Sequence, residues 1–104
     1  MTESKSLLSS ASSGDTAAMY LLGWEFFIGG TNSEDKNQAF RWFYMAASQG
    51  HIGAQYMLGW IYYFGYGTPR DERQFMYWFC TASSNGHIVA KSSLDTIRRY
   101  RWVR

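Results

Sequence analysis

The sequence holds a single proline, Pro69, and a single cysteine, Cys80. Scarce proline leaves long stretches free for helix, whose interior proline would break. A lone cysteine excludes an internal disulfide and suits a reducing compartment. The opening residues MTESKSLLSSASSGD contain no apolar run of signal-peptide length. No later run approaches the roughly 18–20 apolar residues of a membrane span. A cytoplasmic protein without membrane attachment is the expectation. Charge is also sparse, at 17% of residues, and its net of +2 hides an uneven spread. Residues 1–86 carry five Lys/Arg against seven Asp/Glu, whereas residues 87–104 carry five against Asp95 alone. The body is therefore slightly acidic and the tail basic.

Aromatic residues are abundant, with five Trp, eight Tyr and seven Phe. The 104 residues suffice for one small domain with a modest core. The strongest signal is internal repetition. Gly14, Gly50 and Gly86 are 36 residues apart, as are Ala18, Ala54 and Ala90, and Leu22, Leu58 and Leu94. In the same register Gly23 matches Gly59, Trp24 matches Trp60, Phe26 matches Tyr62, and Phe27 matches Tyr63. Gly29 and Gly65, Asp35 and Asp71, Trp42 and Trp78, and Ala46 and Ala82 extend the list without a gap. A fixed period of this size marks a stacked-repeat architecture.

Each repeat reads as helix, turn, helix. In 51–64, Ala54, Leu58 and Ile61/Tyr62 share one face, and Gly65 stops the helix. Asp71, followed by Gln74, is the expected N-cap of a second helix over about 72–84, with Phe75, Trp78, Phe79 and Ala82 inward. Repeat one begins at Asp15 or Thr16, breaks at Gly29-Gly30, and restarts with Asp35 as the expected second N-cap. No strand-length run alternates in period two. The prediction is an all-α solenoid in one domain, 1–104: a half-repeat at 4–13, repeats at 14–49 and 50–85, and a half-repeat with a basic helix at 86–104.

Repeat two carries Ala54, Leu58-Gly59, Tyr62, Gly65, Gly67, Asp71, Trp78, Ala82 and Gly86. Repeat one carries Ala18, Leu22-Gly23, Phe26, Gly29, Asp35, Ala39, Trp42, Ala46-Ala47 and Gly50. This pattern resembles Sel1-like repeats, relatives of the tetratricopeptide (TPR) repeat. The resemblance implies a right-handed superhelix whose first helices line a concave face that holds protein partners. The sequence departs from the pattern at Thr31, where repeat two has Gly67, and at Asp95, where the glycine of LG is expected.

By analogy with the related architecture, Trp24, Phe27 and Ile28 of repeat one and Trp60, Tyr63 and Phe64 of repeat two face that groove. Tyr20 and Tyr56 lie one turn away on the same face. Trp24 and Trp60 are expected to stack as successive rungs of an aromatic ladder. Two roles fit these rings: a partner-binding patch, since large exposed aromatic patches mark interaction sites, or completion of a narrow core. Arg98, Arg99 and Arg101 of the tail are candidate contacts for an acidic partner, for nucleic acid through interleaved Tyr100 and Trp102, or a solvated cap.

Chemistry is not what the residues suggest. Ser33-Glu34-Asp35-Lys36 spells S-x-x-K, but its companion motifs are absent and Asp35 is expected to cap a helix. His51 and His87 share a repeat position at helix entry, too few to bind a metal. Cys80 reads as a small core hydrophobe. No cofactor and no catalytic set are expected. The function expected is a non-catalytic protein-interaction module, an immunity-type neutraliser of a cytosolic toxin or effector or an adaptor. Homodimerisation through the exposed half-repeats is the alternative, and weak nucleic-acid binding by the basic helix a more distant one.

Overall fold

The structure, a computed structural model, describes the backbone of residues 2–102 and the side chains of residues 6–100. Helices run α1 (Thr2–Ser12), α2 (Thr16–Gly29), α3 (Ser33–Ser48), α4 (Ile52–Phe64), α5 (Glu72–Ser84) and α6 (Ile88–Trp102). No strand occurs among the described residues. The predicted all-α solenoid is thus built from stacked hairpins α2–α3 and α4–α5, flanked by α1 and α6. Each helix packs chiefly on its neighbours in sequence, giving an elongated body of 51 × 28 × 17 Å.

Local chemistry fixes the helix ends. The Asp15 carboxylate accepts the N–H groups of Ala17 and Ala18 at 3.0 and 3.2 Å, capping α2. Asp71 Oδ1 accepts the Gln74 N–H at 3.1 Å and caps α5. The entries of α4 and α6 use histidine instead. His51 Nδ1 accepts the Ala54 N–H, and His87 Nδ1 the Ala90 N–H, both at 3.1 Å. Each ring thus caps the N-terminus of its helix, α4 or α6. Gly65 ends α4 at φ 71°, in the left-handed conformation that glycine adopts without strain.

One expected cap is corrected. Asp35 does not begin α3; Asn32 does, its side-chain oxygen accepting the Asp35 N–H at 2.9 Å. Helix α3 thus starts three residues earlier than its counterpart α5. Repeat two has Pro69 where repeat one has Ser33, the first residue of α3, and Gly67 at φ 75° two residues before it.

The hairpins close where the repeat places glycine. A Cβ on Gly23 would stand 2.8 Å from Cδ1 and Cε1 of Phe43, and one on Gly59 would run into the Phe79 ring. Phe43 and Phe79 are fully buried, so each glycine is the floor on which a core ring rests. Ala11, Ala18, Met19, Leu22, Ala39, Ala46, Ala54, Leu58 and Ile61 form the first core around Phe43. Phe75, Phe79, Ala82, Ala90 and Leu94 form the second. Gln55 is the buried polar residue between repeats. Its Nε2 donates to the Ala47 carbonyl at 3.2 Å, and its Oε1 accepts from Asn85 Nδ2 at 3.0 Å, so its burial costs little.

Candidate partner-binding groove

The first helices α2, α4 and α6 present one register of side chains. Ile28, Phe64 and Tyr100 are each 36 residues apart and are 77%, 70% and 71% exposed. Large apolar groups repeated at a fully solvated position gain nothing from folding. Beside Phe64 a cavity of about 450 Å³ lies between α2 and α4, lined by Phe27, Met57, Trp60, Ile61, Phe64 and Tyr66. Its volume falls in the range of ligand-sized clefts.

Tyr20, Trp24, Phe27, Tyr56, Trp60 and Tyr63 are all half-buried. Trp24 meets Tyr20, Phe27 and Phe43 edge-on, the last at 5.9 Å. Trp60 meets Phe79 edge-on at 5.0 Å and Phe75 at 5.7 Å, and stacks on Phe64 at 5.6 Å. The expected Trp24–Trp60 stacking is corrected: among the described ring contacts none joins them, and each tryptophan packs within its own hairpin. Hairpin closure at Gly23 and Gly59 draws Phe43 and Phe79 under the indoles, so these rings serve the core on one side and the surface on the other.

Tyr20 stacks on His51 at 4.3 Å, and Tyr56 on His87 at 4.2 Å. The tyrosines thereby hold the capping histidines of the following repeat. Burial lowers the His51 pKa below its usual range, outweighing an opposing backbone hydrogen bond. Burial also raises the Tyr62 phenol, with Tyr44 and Asp71 adding to the shift.

Two groove residues escaped the repeat pattern. Tyr66 lies in the α4–α5 loop, packs on Phe27 at 4.7 Å and donates its hydroxyl to the Phe27 carbonyl at 3.2 Å. Its repeat counterpart is Gly30, so periodicity could not flag it. Met57, half-buried, has an apolar counterpart in the exposed Leu21; that recurrence was the available signal.

Cations border the groove. Lys36 Nζ stands 5.4 Å from the Tyr66 ring centre, and the Arg70 guanidinium 5.2 Å from that of Tyr63. Lys36 of the S-x-x-K segment is thus placed over a ring, and Ser33 is the first residue of α3. Arg98 and Arg99 are exposed on α6. The Arg101 side chain lies outside the described residues. Cys80 is a free, half-buried thiol against the second core. No helix of the described residues is long and apolar enough to cross a membrane.

Comparison with known proteins places these features. The Sel1 repeat family model matches residues 16–51 and 52–87. A protective antigen of uropathogenic Escherichia coli strains, with an SLR fold, is 35% identical at a TM-score of 0.82 over 90% of this chain. A Sel1 repeat protein from Oxalobacter formigenes is 36% identical at a TM-score of 0.79 over 88% of this chain. The chain spans 20% and 26% of those two proteins' lengths. A comparison with curated proteins returned no match. Sel1-like repeats generally act as non-catalytic scaffolds for protein–protein interaction. With two matched repeats in register and two structural relatives above a third identical, the chain belongs to the Sel1 repeat family.

Proposed function

We propose that this chain is a protein-binding module that holds one partner protein in the groove between α2 and α4. The observation that carries the reading is the pairing of Ile28 and Phe64, both exposed at one repeat position, with the apolar cavity beside Phe64. Exposed rings with rigid backing supply large contact area at low entropic cost. Among the sequence candidates, Ile28 and Phe64 are the direct contacts. Trp24, Phe27, Trp60 and Tyr63 offer their outward edges, and Tyr20 and Tyr56 brace the wall. Cytoplasmic residence accompanies this reading, since the Cys80 thiol has no partner cysteine. Of the narrower roles, neutralising a toxin or effector suits a single groove better than bridging two proteins as an adaptor.

End-to-end self-association is less well supported. A second helix packed on α6 would meet Asp95 where Gly59 admits Phe79, and Arg98 where Tyr62 stands. Burying those charges without partners is costly. The test is a pull-down from lysate of the producing cells with mass spectrometry, comparing wild type with Ile28→Ser/Phe64→Ser. Both residues are exposed, so the variant should melt like wild type. A protein retained by wild type and lost by the folded variant supports the reading. Equal recovery by both refutes it.

A further inference from the structure

The groove changes character along the solenoid. At the position occupied by Phe27 in α2 and Tyr63 in α4, α6 carries Arg99; at the position of Trp24 and Trp60 it carries Thr96. The third rung is therefore cationic and hydrophilic, apart from exposed Tyr100. Arg99 is exposed and, among the described residues, makes no ion pair. Arg70, over the Tyr63 ring of α4, adds a second positive charge. Asp71, next to Arg70 in sequence, accepts the Gln74 N–H, and Asp95, one turn before Arg99 on α6, is exposed and, among the described residues, forms no ion pair with it. The cavity itself is walled by Phe27, Met57, Trp60, Ile61, Phe64 and Tyr66 and offers almost no polar surface.

Resting on the groove reading above, we propose that the segment bound there belongs to another protein and pairs a bulky apolar side chain with a nearby carboxylate. The apolar group fills the α2–α4 cavity, and the carboxylate meets Arg99, with Arg70 beside it. Both are arginines, whose planar donors suit carboxylates. The recognised pattern is thus a large apolar residue with an Asp or Glu nearby in the same segment.

The test uses random peptides displayed on phage, selected on the intact chain and on Arg70→Glu/Arg99→Glu. Wild type should enrich peptides with a large apolar residue and a nearby acid; the charge-reversed variant should enrich basic residues in the acid's place. A resynthesised wild-type binder should shift NMR signals of Met57, Ile61 and Phe64, and bind the charge-reversed variant at least about tenfold more weakly, as for loss of a charged hydrogen bond. No enrichment, enrichment without acidic bias, or shifts centred elsewhere overturns the proposal. So do selected peptides that match this chain's own sequence, which would mark a second copy as occupant. A lysate partner that needs Ile28 and Phe64 yet ignores Arg70→Glu/Arg99→Glu would retain the groove and overturn the acidic motif alone.

Discussion

Gly59→Ala should destabilise the protein, although alanine is the better helix former. Gly59 lies inside α4, where replacing glycine gains about 1 kcal/mol of helix propensity. The added methyl, however, would run into Cδ1 of Phe79 and stand 2.7 Å from its Cε1. Phe79 is fully buried and also touches Tyr56, Trp60 and Phe75, so its ring has no free direction in which to retreat. Overpacking of this kind costs about 1–3 kcal/mol and occasionally more. The net expectation is a loss of up to about 2 kcal/mol once propensity is subtracted. Gly29→Ala is the matched control. Gly29 ends α2 with ordinary backbone and nothing within 4 Å of a new Cβ, so propensity acts alone. It should stabilise by up to about 1 kcal/mol. Urea melts followed by helical circular dichroism give both values. Gly59→Ala/Phe79→Leu should recover part of the loss, because the smaller side chain removes the clash partner. Equal stabilisation by Gly59→Ala and Gly29→Ala would refute glycine-dependent hairpin closure.

Other substitutions separate core from surface. Trp60→Ala should cost about 2–3 kcal/mol, below the roughly 3–5 of a fully buried ring, because only its inner face packs; Phe64→Ala should stay within about 0.5 kcal/mol in the same melts. Asn32→Ala should cost about 1 kcal/mol as a lost N-cap, and Asp35→Ala clearly less in the same assay. Acid should weaken the fold through His51. Its folded pKa lies below the unfolded value near 6.5, so its contribution is complete above that pH and is lost as pH falls through 6.5 towards the folded value. Thermal melts from pH 8 to 5 should therefore show a steeper acid decline for wild type than for His51→Asn, whose cap does not titrate.

The repeat architecture was legible because 36-residue recurrence marks every position that neighbouring units must share. The Asp15 and Asp71 caps and the Gly65 stop were readable from local backbone chemistry alone. The Asn32 cap was not, because the aspartate at 35 looks equally suited, and only the turn preceding it decides. The direction of the rings was illegible for another reason. Recurrence shows that Trp24 and Trp60 do the same thing, but not whether their faces meet each other or Phe43 and Phe79. Tyr66 was hidden because its counterpart in repeat one is Gly30, so recurrence gave it no aromatic signal. Ile28 and Phe64, by contrast, share a repeat position that register could flag, and they are the most exposed of the aliphatic and aromatic candidates.

A partner protein seated in the α2–α4 groove would lie against the exposed ring of Phe64. The most direct test places the photo-crosslinking residue benzoylphenylalanine at position 64, in the groove, or at position 77, an exposed tyrosine on α5. Irradiation of producing cells, followed by mass spectrometry of the adducts, reads the neighbour at each point. Position 64 should give a covalent adduct with one other protein and position 77 none. Adducts from position 77 alone, or only adducts between copies of this chain, would contradict the groove reading.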